Sequence, residues 1–367
     1  MKNLSLIVFG DFRAANVEKI TLSDSLKSLI NSADIRACNF EAPVRGAGSS
    51  AVKSGPVLYQ SSLSPEFLMN AGFNAVTLAN NHIMDYGEEG CLKTIESFGP
   101  CITIGAGKAR DAYAVKVFVK DGLRIGFLSL CQHEFGVIES ADIEGVGAAW
   151  THSLDVFEII KAAKKSVDYL LVFPHAGVER SFAPLPQWRR LYKKYVEWGA
   201  DGVIASHPHT PQGWEYYKEK PICYSLGNFY FDELSGDQYW NKGLAVELKL
   251  NGKVEMKVHS ITFNDLGYID IDESCGTLQH NAYINELLRS ESQYNNYIDM
   301  FCNSLYDGHK YGLLRGFSGL SFHLKSKLVL RLFGLMLLNR RNVPTALNRI
   351  QCESHRWVIE HCLKKEM

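Results

Sequence analysis

Apolar and polar positions along this chain fall into short blocks, and five of the apolar blocks stop on residues able to hold a cation. LSLIVFGD ends on Asp11, DIRACNFE on Asn39 and Glu41, and FNAVTLANNH on Asn80, Asn81 and His82. DYLLVFPH ends on His175, and DGVIASHPH on His207 and His209. Short runs rich in Val, Ile, Leu and Phe read as strands buried on both faces, the kind found in sheets covered by helices. Polar side chains are costly inside such a strand, so they collect where it ends. In open α/β sheets those ends converge on one rim, where ligands and metals bind.

The blocks are separated by helical spacing. NVEKITLSDSLKSLINSA predicts a helix capped by Ser23 or Asp24, with Leu26, Leu29 and Ile30 on its apolar face. SPEFLMNAGF predicts a second, with Ser64 as N-cap, Pro65 at the first helical position and Gly72 near the exit. EEGCLKTIESFG predicts a third, and ITIGAG a short strand after it. LDVFEIIKAAKKSV and LPQWRRLYKKYVEWGA are helical with basic outer faces, and each precedes a strand that ends on histidine. Two segments break the alternation. The runs flanking Asp121 and Gly122, and those flanking Asn251 and Gly252, carry two-residue hairpin signals. Helix and strand alternation mixed with hairpins predicts a layered α/β sandwich with mixed sheets. Past Ile271 the pattern turns helical, so the expected organisation is a main domain over 1–270 and a helical C-terminal appendage over 271–367.

Composition narrows the function classes. A formal net charge of -1 argues against a broad electrostatic grip on nucleic acid. The nine cysteines are unpaired in spacing and odd in number, which reads as reduced thiols. The opening MKNLSLIVFGD is too short for a signal peptide and fits a first strand. No apolar stretch is long enough to span a bilayer, and the expected compartment is the cytoplasm. One tail block bears on that expectation. From Leu328 to Leu338 it is apolar apart from Arg331 and has basic flanks, which fits either a helix lying on an anionic membrane surface or one packed on the main domain.

Carboxylates, an Asn carbonyl and imidazoles together suit a divalent ion such as Mn, Fe or Zn, whereas a thiolate site needs clustered cysteines. Plainer readings stand beside this one. A lone strand-end histidine is usually structural, Asp11 and Glu41 could cap helices, and Asn80 with Asn81 could form a turn. Asn81 is the ligand candidate of that pair, and Asn80 the turn former. Asn228 either lines the pocket or stabilises its own loop, and Gly105 and Gly107 read as turn formers.

The motifs run in order as GD at Gly10 and Asp11, NFE from Asn39, ANNHIMDYG from Ala79, GAG from Gly105, PHAGVE from Pro174, SHPHTPQ from Ser206 and YSLGNFYFD from Tyr224. In that order the chain resembles the CapA family of capsule and poly-γ-glutamate synthesis proteins, related to the calcineurin-like metallophosphoesterases. The resemblance covers roughly the first two thirds of the chain. It implies a four-layer α-β-β-α sandwich of calcineurin-like fold. It also implies one or two divalent ions, with Asp11 and His209 on one, Asn81, His175 and His207 on the other, and Glu41 between them. His82 falls on the position of the family's catalytic histidine, and Asp85 would orient it.

One departure stands out: where related phosphoesterases have Asp, any residue, His, this chain has Asp11, Phe12, Arg13. Arginine cannot ligate a metal but pairs well with an anionic substrate. The implied activity is hydrolysis or transfer at a phosphoester or amide, within capsule, poly-γ-glutamate or exopolysaccharide biosynthesis. The implied partners are an anionic polymer or a phosphoester or amide substrate and no nucleic acid, with the tail helices as a peripheral contact to membrane or capsule machinery. The rival reading is a non-catalytic polymer-binding assembly factor of the same machinery.

Overall fold

A computed structural model describes residues 4–233, 235–317 and 343–366. The apolar tail block 328–338 lies outside the described residues. Among these residues two large sheets stack face to face. The first has nine strands and is centred on Leu4–Arg13, with Ile35–Phe40, Ala75–Thr77 and Ile102–Ile104 parallel on one side and Lys242–Leu250 antiparallel on the other. The second has six, of which Leu123–Cys131, Tyr169–His175, Gly202–Ile204 and Lys220–Cys223 run parallel.

Strand geometry explains the layering, because successive side chains point to opposite faces. Leu4, Leu6 and Val8 face inward and meet Ile125, Phe127, Leu171 and Phe173 of the second sheet. Ile7, Phe9 and Phe12 face outward and pack with Leu26, Leu68 and Cys91. Those three residues belong to the helices Asp24–Asn31, Ser64–Asn70 and Gly87–Ser97. On the far side, Leu128, Leu170 and Val172 pack against Val156 and Ile160 of helix Asp155–Lys164 and Trp188, Tyr192 and Tyr195 of helix Pro186–Trp198. The result is the four-layer α-β-β-α sandwich. Both faces of the central strands are covered, which is why they read as unbroken apolar runs.

The local signals hold with two adjustments. Ser23 caps the first helix, its hydroxyl accepting from Leu26 N at 3.1 Å. Ser64 does not cap the second: that helix already includes it, and its hydroxyl donates instead to the Ala14 carbonyl at 3.2 Å. Asp121 and Gly122 both have positive φ, as a primed two-residue hairpin turn requires. The other hairpin closes through three residues, with Leu250 opposite Val254 and only Gly252 at positive φ.

Of the C-terminal helices, Gly276–Arg289, Glu291–Phe317 and Glu353–Glu366 pack onto the outer helical layer, and Val343–Gln351 packs against the second and third of these. Ile284, Leu287, Ile298, Cys302 and Val358 share one apolar cluster with Trp188, Tyr192 and Tyr195. Glu353 fastens the last helix to the loops beyond strand Leu123–Cys131. Its carboxylate accepts from His133 N at 2.9 Å and Trp150 Nε1 at 3.2 Å, and pairs with His152 Nδ1 at 3.1 Å. All nine cysteines are free. Among the described residues no helix is long and apolar enough to cross a membrane.

Candidate metal centre

The strand ends of both sheets meet at one rim, and backbone details bring each side chain there. Gly10 lets the chain around residue 227 approach closely, since a Cβ on it would lie 1.9 Å from Gly227 O. That approach places Asn228 beside Asp11, while Asn39 lies opposite Asp11 on the other flank. Glu41 follows directly on strand Ile35–Phe40, and its N–H donates to Phe12 O at 3.0 Å. His175 is the last residue of strand Tyr169–His175. His207 and His209 lie just past strand Gly202–Ile204 with φ of 104° and 56°. Non-glycine residues avoid that region unless the surroundings dictate it, and such strain clusters at functional sites. Here Asp11 helps dictate it, its Oδ2 accepting from His207 N at 3.2 Å.

Asp11, Glu41 and His209 form one buried cluster whose ligand atoms all lie within 4.8 Å of one another. Glu41 Oε1 is 3.6 Å from His209 Nε2 and 3.9 Å from His175 Nε2. His175 Nε2 in turn is 3.1 Å from both Asn81 Oδ1 and His207 Nδ1. Glu41 therefore stands between two groups of donors, Asp11 with His209 and Asn81 with His175 and His207.

The donor set fits a divalent cation. Both carboxylate oxygens of Glu41 are buried without a hydrogen-bond partner. His209 Nδ1 donates to Asn228 Oδ1 at 2.9 Å, which turns its Nε2 toward Glu41 as the nitrogen open to a metal ion. Acceptors facing acceptors in a dry site repel one another, and a cation among them reverses the sign. Burial, followed by the neighbouring Asp11, pushes the Glu41 carboxyl well above the usual range, and burial raises Asp11 as well. Burial, then the nearby imidazoles, holds His175 well below its ordinary value, and burial takes His207 down to about 3. Both imidazoles are thus neutral at pH 7, the form that ligates metals.

Beside this cluster His82 Nδ1 lies 2.7 Å from Asp85 Oδ2. Lys53 forms an ion pair with the other oxygen of that carboxylate, and its Nζ is 3.1 Å from His82 Nδ1. Asn80 bonds Phe40 O and accepts from His82 N, which shapes the loop. The structure does not bring Arg13 into the cluster. Its guanidinium pairs with Asp232, lies 3.5 Å from Glu233, and sits over the rings of Tyr59 and Phe231. Asn228 spends both ends of its amide within the protein, on His209 and on Trp240 O.

Three contributors, Gln132, Glu134 and Lys53, went unread in the sequence, and Asn39, read as a strand-end residue able to hold a cation, positions its neighbours instead. Asn39 donates to Asp11 Oδ1 at 2.7 Å and meets His175 Nδ1 at 3.1 Å. Gln132 meets His207 Nε2 at 3.0 Å, and Glu134 accepts from Asn81 Nδ2 at 3.3 Å, which turns Asn81 Oδ1 toward His175. Gln132 and Glu134 follow the run LSLC, so the strand-end reasoning applied to the other blocks would have found them. Lys53 sits in an irregular loop and carries no such signal.

Residues 11–233 match the family described as bacterial capsule synthesis protein PGA_cap. The capsule biosynthesis protein CapA of Bacillus anthracis is 34% identical over 170 residues, covering 44% of this chain and 41% of that protein. The PGA biosynthesis protein CapA of Bacillus subtilis is 27% identical over 316 residues, 79% of each chain. The matched segment thus spans less than half of the first relative and most of the second. Among solved structures, a Thermus thermophilus sulfate thiohydrolase SoxB gives a TM-score of 0.42 at 11% identity, covering 78% of this chain and 60% of that one. At that score the likeness carries no chemistry to this protein.

Proposed function

The chain belongs to the family of bacterial capsule synthesis proteins, and on that premise we propose that it is a metal-dependent hydrolase or transferase acting at a phosphoester or amide in capsule or poly-γ-glutamate production. The observation that carries this reading is Glu41, buried with two unpartnered oxygens between two sets of nitrogen and oxygen donors. Asp11, His209 and Glu41 would hold one divalent ion, and Asn81, His175, His207 and Glu41 a second. Such ions supply Lewis acidity to a phosphoryl or carbonyl oxygen and make a water molecule more acidic.

The protein's own groups do the rest. Asp85 accepts the Nδ1 proton of His82, and in the imidazolium form the ring would give its Nε2 proton to the leaving group and end neutral. Leu58 N donates to Asp85 at 2.7 Å, and Lys53 pairs with it, so the carboxylate that orients His82 is itself fixed. Asn228 and Asn39 set the ring orientation of His209 and His175.

A second reading draws on Arg13. Held by Asp232, it supplies no ligand where related enzymes have a histidine, and a centre one ligand short would suit a polymer-binding assembly factor without turnover. Elemental analysis of the purified chain, followed by a panel of chromogenic phosphoesters and γ-glutamyl amides with added Mn, separates the two. Bound metal with turnover supports the enzyme. Bound metal with silence across the panel supports the assembly factor, and absence of metal after loading with Mn, Fe and Zn refutes the centre itself.

A further inference from the structure

The metal centre opens into a cavity of about 400 Å³, floored by Asn81, His82 and His207 and walled by His309, Arg349 and His355 of the C-terminal helices. The wall residues lie beyond the segment 11–233 that matches the family. Three cations line this cavity, and they differ in one respect. Lys53 pairs with Asp85, and Arg180 Nε pairs with Asp237 at 2.9 Å. Among the described residues no carboxylate lies within ion-pair distance of Arg349. Its Nη1 meets His309 Nδ1, and since arginine can only donate, Nδ1 is the acceptor and the His309 proton sits on Nε2. That Nε2–H and Arg349 Nε–H are both buried without a partner, and His309 is 9% exposed.

Two residues that line a cavity floored by the metal centre each carry an unsatisfied buried donor, one of them charged. Buried donors normally have acceptors, and a guanidinium matches carboxylate or phosphate oxygens in shape and charge. Glu134, also at the wall, is occupied by Asn81 and Gln132. We propose that Arg349 and His309 form an anion subsite that holds an acidic group of the substrate while the bond to be cut reaches the metal centre, a role that deepens the enzymatic reading above and rests on it. Glu353 keeps the wall in place through its bonds to His133, Trp150 and His152. An adjoining cleft of about 240 Å³ shares Lys53, Glu134 and Asn348 with the cavity, which leaves room beside the subsite for the rest of a substrate that carries the acidic group.

The test uses the full chain, stripped of metal with a chelator and dialysed, so that neither metal loading nor turnover enters the result. Isothermal titration calorimetry with inorganic phosphate and with glutarate reads the subsite directly. Wild type binds at least one of them, and Arg349→Met weakens that binding roughly tenfold to a hundredfold while Arg349→Lys weakens it less. Preference for phosphate assigns a phosphoryl group to the subsite, and preference for glutarate a carboxylate. His309→Phe, which removes the second donor and keeps the ring, gives an independent loss should Arg349→Met fold poorly. Failure of wild type to bind either anion, or binding undiminished in both Arg349→Met and His309→Phe, overturns the subsite and leaves the metal centre untouched.

Discussion

Replacing Glu41 with glutamine should make the metal-free protein more stable while removing its response to metal. The side chain is wholly buried, its two oxygens have no donor, and the imidazole nitrogens of His209 and His175 lie 3.6 and 3.9 Å from Oε1. An unsatisfied buried polar group costs about 1–3 kcal/mol, and more when charged. Glutamine keeps the shape, removes the ionisable carboxyl and offers both an N–H2 donor and a carbonyl acceptor toward His209 Nε2. The metal-free Glu41→Gln variant should therefore gain roughly 1–3 kcal/mol over wild type.

The sign with pH follows from linkage. A carboxyl whose pKa is raised on folding binds more protons in the native state, so native stability falls as pH climbs above the unfolded value near 4.5. The variant's advantage in chelator should then widen as pH rises from that point. Metal acts the other way: at a hundredfold excess over Kd it stabilises wild type by about 2.7 kcal/mol. For a chain of this size that is a rise in Tm on the order of 5 °C. Scanning calorimetry at several pH values, in chelator and in excess Mn, measures both effects. A variant less stable than wild type in chelator, or one that keeps the full Mn shift, would refute the reasoning.

Other perturbations separate the parts of the site. His207→Ala and His175→Ala should each lower bound metal in elemental analysis and abolish turnover; a metal-free His207→Ala variant that still turned over would sink the mechanism. Asp85→Asn should leave metal content near wild type and reduce kcat by about 10²–10⁴, since it disturbs only the orientation and charge partner of His82. Asn228→Ala frees the His209 ring and should weaken metal affinity about tenfold to a hundredfold in a competition titration, with an unchanged Kd counting against that assignment. For Glu353, burial pushes its carboxyl up, but His152, His133 N and Trp150 outweigh that and bring it below the ordinary range. Its contribution is present above the unfolded pKa and is lost as pH falls through the folded one. The Tm gap between wild type and Glu353→Gln should accordingly be full above about pH 5 and shrink in more acid solution, whereas a gap that grows on acidification contradicts the pairing.

The strand-end residues were legible because burial on both faces leaves a strand only its terminus for polar chemistry. Asp11, Glu41, Asn81, His175, His207 and His209 all follow from that constraint, and the layers follow from helical spacing between the runs. What the linear pattern left undecided was which of several polar neighbours turns inward. Arg13 looked as available as Asp11, yet Asp232, more than two hundred positions away, draws its guanidinium aside. Asn228 could have served the pocket or its own loop, and the parallel register with Asp11 commits it to His209. Lys53 and Arg349 sit on segments with no apolar period pointing at a rim, so only packing delivers them to the cavity.

The sequence by itself determined the local matters: buried strands, helix starts, tight turns and the kinds of donor at each strand end, all set by neighbours a few positions apart. The tertiary structure alone decided which donors stand close enough to share a cation, where the tail's helices wall the cavity, and which charges are already paired. Those outcomes depend on distances between residues far apart in the chain, and a short-range pattern holds no record of such distances.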